Sequence, residues 1–174
     1  GLPITYGDQL AFNRWLATTA HQHGIAIGLR NDYDQIADLE DWFDFSVADN
    51  CMGTAECELI SPFTDSGKPV FNVEYTSTKD EILKMMDMVE ESSRLSVTGL
   101  AANTNLGTES DYELAYEGMG IIEEVSSSRG VPVKFVVIYD VLVASRPDLA
   151  ARLASDKGLL VFPLKRYLLK PWEN

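Results

Sequence analysis

The chain has 174 residues, 45% hydrophobic and 24% charged, which suits one globular domain with a real core and not a disordered segment. Its formal net charge of −13 argues against a nucleic-acid partner, whose phosphates need Lys and Arg to neutralise them; it suits a cationic ligand or simply a well-solvated surface. No apolar run approaches the ~20 residues of a membrane span, so no membrane partner is expected.

Thr5 can cap a helix, with Asp8 at the third helical position near the positive end of the dipole. Leu10, Phe12, Trp15, Leu16 and Ala20 follow at helical spacing and predict an inward stripe that buries Trp15. Gly24 ends this helix behind His21 and His23. Two apart, those histidines share no helix face and read as exposed residues, not a metal pair. The run 25–29 is a short apolar strand ending in Arg30-Asn31-Asp32, a cation, an amide and a carboxylate. Asp34 is the expected cap of the next helix, with Ile36, Leu39 and Trp42 inward and Trp42 buried.

Phe43, Phe45 and Val47 then alternate with Asp44, Ser46 and Ala48, the period-two signal of a strand. It delivers Asp49, Asn50 and Cys51. A short helix over 56–66 carries Leu59, Ile60 and Phe63, and Gly67-Lys68-Pro69 turns into a strand over 70–75 that finishes with Glu74 and Tyr75. Three successive strands thus bring Asp32, Asp49 and Glu74 to one rim, the C-terminal end where α/β folds build their sites. Paired carboxyl groups suit general acid–base work, so these three are the catalytic candidates, with Arg30, Asn31, Asn50 and Tyr75 beside them as candidate substrate-binding residues.

Further on, a helix over 77–91 turns Ile82, Met85, Met86 and Val89 inward, a methionine stripe of core-filling type. A strand over 96–103 ends in Asn103-Thr104-Asn105. Gly130 stops a helix over 110–129, and Pro132 stands at the start of a strand over 131–138, where a missing N–H is tolerated. A short helix over 147–154, an edge-like strand over 159–163 and a basic tail over 165–172 complete the chain. The fold expected is α/β, a mostly parallel sheet of about six strands with helices on both faces. It would be an open Rossmann- or flavodoxin-like sheet or a partial TIM barrel, since closure normally takes eight strands. All six strands are expected in one sheet, with Ile27, Phe45, Val73, Leu100 and Val137 in its interior. A half-barrel would be completed by a homodimer.

The runs Thr5 to Ala17, Ala20-His21, Gly28 to Asp32, Asp34-Gln35, Phe43-Asp44-Phe45 and Val70 to Tyr75 resemble glycoside hydrolase family 114, the endo-α-1,4-polygalactosaminidase-like proteins. The resemblance spans roughly 1–76. It implies a (β/α)₈ barrel that cleaves a galactosamine-containing polysaccharide, a cationic polymer once de-N-acetylated. In the family the residue matching Asp49 is usually a Glu and serves as catalytic acid, and Arg30 stands where Lys is common. The family's other catalytic carboxylate lies in an Asp-Asn-Val-Asp-Gly-Tyr type motif that occurs nowhere in the 174 residues. Asp49 as general acid would therefore take Glu74 or Asp32 as partner. Secretion is implied as well, and with it a disulfide between Cys51 and Cys57; in a cytosolic protein the two would stay reduced.

Residues 78–174 are similar to the C-terminal half of a MinD/ParA-like P-loop ATPase, through Glu90 to Leu95, Thr98 to Leu100, Asn103 to Leu106 and Lys170 to Glu173. That resemblance implies a cytoplasmic protein with a nucleotide base near Asn103 and Asn105. No G-x-x-x-x-G-K-[ST] loop is present to cradle the phosphates, so nucleotide hydrolysis is not expected. The expected organisation is one domain over 1–174 with an ancestry junction near 73–78, as in a natural or engineered chimera. The chain opens on Gly1 with no signal-peptide pattern, as a processed, truncated or excised chain would. Three functions follow: a polygalactosaminidase-like domain of weak or no activity, a nucleotide- or metabolite-binding module, or a scaffold without selected activity. No cofactor is called for, and two Cys and two His lack zinc-site spacing, so no metal is expected.

Overall fold

The computed structural model describes residues 3–76, 78–104, 106 and 109–165. The chain divides into two compact units, Gly1–Thr76 with Lys84–Leu95, and Ser77–Leu83 with Ser96–Asn174. The fold is α/β, and among the described residues every strand pairing is parallel, but the six strands are split between two three-stranded sheets instead of forming the one sheet expected. Apolar runs mark where strands lie; they do not specify which strands pair.

The first unit opens with α1 (Tyr6–Gln22), whose start is fixed by a reciprocal capping box. The Asp8 amide donates to Thr5 Oγ1 at 3.2 Å, and the Thr5 amide donates to Asp8 Oδ2 at 3.0 Å. At the other end the Gly24 amide reaches the His21 carbonyl and the Ile25 amide the Ala20 carbonyl, both at 3.0 Å, with Gly24 at φ 68°. This is the Schellman arrangement that only a left-handed residue closes cheaply.

β1 (Gly28–Arg30), β2 (Phe45–Asp49) and β3 (Val70–Val73) form the first sheet in that order. Between them lie a 3₁₀ turn (Tyr33–Gln35), α2 (Ile36–Leu39), a second 3₁₀ turn (Glu40–Trp42), α3 (Cys51–Thr54), a third 3₁₀ turn (Cys57–Ile60) and α4 (Ser61–Asp65). Ala17, Leu29, Ile36, Leu39, Phe43 and Phe63 make one buried cluster. Ala48, Cys51, Cys57, Ile60 and Val89 make another. Val89 comes from α5 (Lys79–Ser93), whose residues from Lys84 onward group with this unit.

Three expectations about which side faces inward are corrected. On α1 the buried residues are Asn13 and Ala17, while Phe12 and Trp15 stack on each other at 5.8 Å on the solvent side and Trp15 is 59% exposed. Trp42 is 38% exposed with the Arg14 guanidinium 5.3 Å from its ring, although Ile36 and Leu39 are buried as expected. On β2 the fully buried residues are Ser46 and Ala48, not Phe45 and Val47, and Ile27, Val73 and Val137 are likewise only half-buried. Phe45 instead meets Phe71 edge to face at 5.6 Å on the other side of the sheet.

The second unit holds β4 (Leu100–Asn103), β5 (Val133–Tyr139) and β6 (Leu160–Leu164), again parallel and in chain order. α6 (Tyr112–Arg129) starts on Asp111, whose side chain accepts the Leu114 amide at 2.8 Å, and stops at Gly130 with φ 67°. Its buried Ala115, Met119, Ile122 and Val125 are matched by buried Leu100, Ala102, Val136 and Ile138 in the strands. α7 (Asp140–Ser145), which sequence spacing missed, precedes α8 (Pro147–Lys157). The Tyr112 hydroxyl donates to the carbonyls of Leu142 and Arg146 and so ties α6 to the end of α7.

Candidate functional site

Because β1, β2 and β3 run parallel side by side, their C-terminal ends form one rim. The segments leaving it carry Asn31 and Asp32, Asp49 and Asn50, and Glu74 and Tyr75. The register pairs Arg30 with Val47 and Asp49 with Val73, so side-chain alternation puts Arg30, Asp49 and Tyr75 on one face of the sheet and Glu74 on the other. The rim thus brings the three carboxylates to one end without turning them toward one point.

Asp49 is the centre of the first group. Its Oδ2 accepts the Arg30 guanidinium and its Oδ1 accepts the Tyr75 hydroxyl at 3.0 Å. Only 11% of the Asp49 side chain is exposed, against 69% for Arg30. The Arg30 hydrogen bond, then the Tyr75 hydrogen bond, hold the Asp49 carboxyl below the usual carboxylate range, and burial only partly opposes them. The same contacts raise Arg30 and Tyr75. Asp49 is therefore ionised at neutral pH. A general acid needs a raised pKa, the opposite of this shift.

Asp32 and Asn31 both take left-handed backbone, at φ 54° and 53°. Asp32 Oδ2 accepts Asn13 Nδ2 at 2.8 Å, Asn13 also donates to Gln35 Oε1 at 3.3 Å, and Gln35 Nε2 donates to the Tyr6 carbonyl at 2.8 Å. Asn13 and Gln35 are both buried. Neither was among the candidate site residues read from the sequence. The available signal was an Asn in the middle of a helix, a poor position unless its side chain finds partners. Asp34 does not cap the helix after β1, since it lies inside the 3₁₀ turn, and Asp32 at the cap position makes no side-chain capping bond. Asn31, Asp32, Tyr33, Asp34 and Glu56 line a small open cleft of about 250 Å³. Burial, then Glu56, Glu74 and Asp49, push the Tyr33 hydroxyl above its ordinary value.

Glu74 turns under the loop that follows β2, where its Oε1 accepts the Met52 amide at 3.2 Å. Asn50 leaves β2 at φ 57°, donating its amide to the Val73 carbonyl at 2.8 Å, and its side chain lies against Gly53, where an added Cβ would come within 2.5 Å of it. Cys51 and Cys57 are joined as a disulfide, their Cα atoms 4.9 Å apart and both side chains fully buried. The sulfurs lie within 4.8 Å of a Glu74 oxygen, but as a disulfide they offer no thiolate to a metal. In the second unit, Asn103 ends β4 on an exposed position; Asn105, like the segment 170–173, lies outside the described residues.

A family model described as glycoside-hydrolase family GH114 matches residues 1–117, running past Thr76 into α6. Among solved structures, the crystal structure of Aspergillus fumigatus Ega3 in complex with galactosamine is 37% identical over 43% of this chain, with a TM-score of 0.41. The match spans only 30% of that protein's chain. No curated protein matches the chain. The family model covers well over half of the sequence, and it includes the whole rim from Arg30 to Tyr75: the chain belongs to glycoside-hydrolase family GH114.

Proposed function

We propose that the rim of the first sheet binds a galactosamine-containing polysaccharide, and that Asp49 is its anionic contact. Family membership supports the substrate class. The observation that carries the reading is the Arg30–Asp49–Tyr75 group: an ionised, nearly buried carboxylate at a strand's end, flanked by an exposed guanidinium and a phenol. Such an anion can pair with the ammonium of a de-N-acetylated residue or face the positive charge that develops on the sugar during glycosidic cleavage. Hydrolysis also needs a protonated partner. Within this chain that role falls to Glu74 or Asp32, and each is already engaged, on the Met52 amide and on Asn13. Recognition is therefore the main activity of this chain, with hydrolysis weak or absent.

The test is thermal shift with de-N-acetylated galactosamine oligomers, fully N-acetylated oligomers and ATP, on the parent and on Asp49→Asn. A ligand that binds only the native state raises Tm. The expected result is a rise with the cationic oligomer, a smaller one with the acetylated oligomer and none with ATP, the first being lost in Asp49→Asn. No rise with either oligomer rejects the reading, and a rise with ATP alone transfers the site to the second unit around Asn103.

A further inference from the structure

We infer that Asn31 is a positioning residue for Asp49, its side-chain oxygen committed to the Asp49 backbone and not to the sugar. The inference rests on the reading of Asp49 as the anionic contact. Asn31 is where β1 stops being a strand. Its own amide still donates to the Val47 carbonyl at 3.0 Å, one step beyond the last ladder residue, and then the backbone turns left-handed through Asn31 and Asp32. That turn carries the β1 backbone away from β2 just where Asp49 needs a partner.

The Asn31 side chain fills the gap. Its Oδ1 accepts the Asp49 amide at 2.8 Å, and its Nδ2 approaches the Asp49 carbonyl at 3.5 Å. A primary amide has the same donor and acceptor pair as a peptide unit, so the side chain stands in for one more residue of strand. Asn also tolerates left-handed backbone better than most residues, so one residue type serves both the turn and the pairing. On the β3 side, the Asn50 amide is tied to the Val73 carbonyl at 2.8 Å. The peptide groups around Asp49 are thereby held from both neighbouring strands, which fixes where its carboxylate meets Arg30 and Tyr75. Asn31 Oδ1 takes a second donor, the Tyr33 hydroxyl at 3.4 Å, and so has no acceptor capacity left for a sugar hydroxyl. Among the described residues, Arg30 on β1 and Tyr75 beyond β3 act directly on Asp49, and Tyr33 in the turn after β1 feels Glu56 and Glu74 together with Asp49.

The experiment uses uniformly ¹⁵N,¹³C-labelled full chain. In the parent, a scalar coupling across the hydrogen bond from the Asp49 amide nitrogen to the Asn31 side-chain carbonyl carbon is expected, and the Asp49 carboxyl should titrate below an ordinary Asp. Asn31→Gly keeps the left-handed backbone and removes the amide. In that variant the Asp49 midpoint should climb toward the ordinary value of about 3.9 while the amide spectrum of the first unit persists. Asn31→Asp keeps the acceptor, so the Asp49 amide shift should stay close to that of the parent. Absence of the coupling in the parent overturns the inference, whatever the variants do. So does an unchanged Asp49 midpoint in folded Asn31→Gly. An Asn31→Gly that loses oligomer affinity with the Asp49 titration unmoved would make Asn31 a sugar contact instead. Failure of the oligomers to bind the parent would sink the proposed function and leave the coupling and the titration standing.

Discussion

Arg30 and Asp49 make opposite demands on a cationic ligand, and that gives a test with a definite sign. Arg30 is mostly exposed and neutralises the carboxylate that the ammonium would need. If it is a displaceable counterion, Arg30→Ala raises affinity for de-N-acetylated oligomers; if it touches the sugar, affinity falls. The rise is the expected outcome, read by calorimetry, and the Asp49 midpoint should move up in the same variant because its largest lowering contact is gone. The pH dependence of stability has a definite sign too. Asp49 has a folded pKa below its unfolded one, so its stabilisation is complete above the unfolded value of about 3.9 and drains away as pH falls through the folded value. Asp8, held by Thr5, Asp44, held by the Ile27 amide and His21, and Glu40, held by Lys68 and Ser66, shift in the same direction. Urea midpoints should be level from neutral pH to about 5 and fall below about 4. Asp49→Asn should show a shallower fall.

Burial sets the cost of a substitution within an element. Phe63 is fully buried in the cluster with Ala17, Leu29 and Leu39, so Phe63→Ala should cost about 3–5 kcal/mol in urea unfolding. Trp42 keeps more than a third of its surface in water, and Trp42→Ala should cost roughly 1–2 kcal/mol, well under the cost for a buried Trp. The contrast shows how far the sequence could be read. The ends of the two long helices α1 and α6 were legible because they depend on local chemistry: Thr5 with Asp8, Gly24 and Gly130 sit where caps need them, whereas Asp34 does not cap the helix after β1. The rim was legible because each strand signal is followed by polar residues. The inward face of α1 was not, because both of its sides offer something to bury. The apolar stripe lost to Asn13, whose amide satisfies Asp32 and Gln35. On β2, too, both faces carry small or apolar residues, so alternation alone could not choose between Phe45 with Val47 and Ser46 with Ala48. The left-handed pair Asn31-Asp32, on which the presentation of Asp49 depends, leaves no mark in residue spacing at all.

For the molecule as a whole, two units with separate parallel sheets carry the fold, and the candidate site belongs to the first of them. The Cys51–Cys57 bridge lies in that unit, closing a loop of six residues' separation just after Asp49. Replacing both cysteines with Ala should cost about 2 kcal/mol by loop entropy, read as a lower urea midpoint. Its burial carries a kinetic meaning of its own. Thiol–disulfide exchange requires a reductant's sulfur to approach in line with the bridge, and neither cysteine is open to solvent. Reduction must therefore wait until the segment from Asn50 to Cys57 opens. The rate at which thiols appear in excess reductant then times that opening, and comparison with the global unfolding rate tells whether the loop beside Asp49 breathes independently or moves only when the whole unit comes apart.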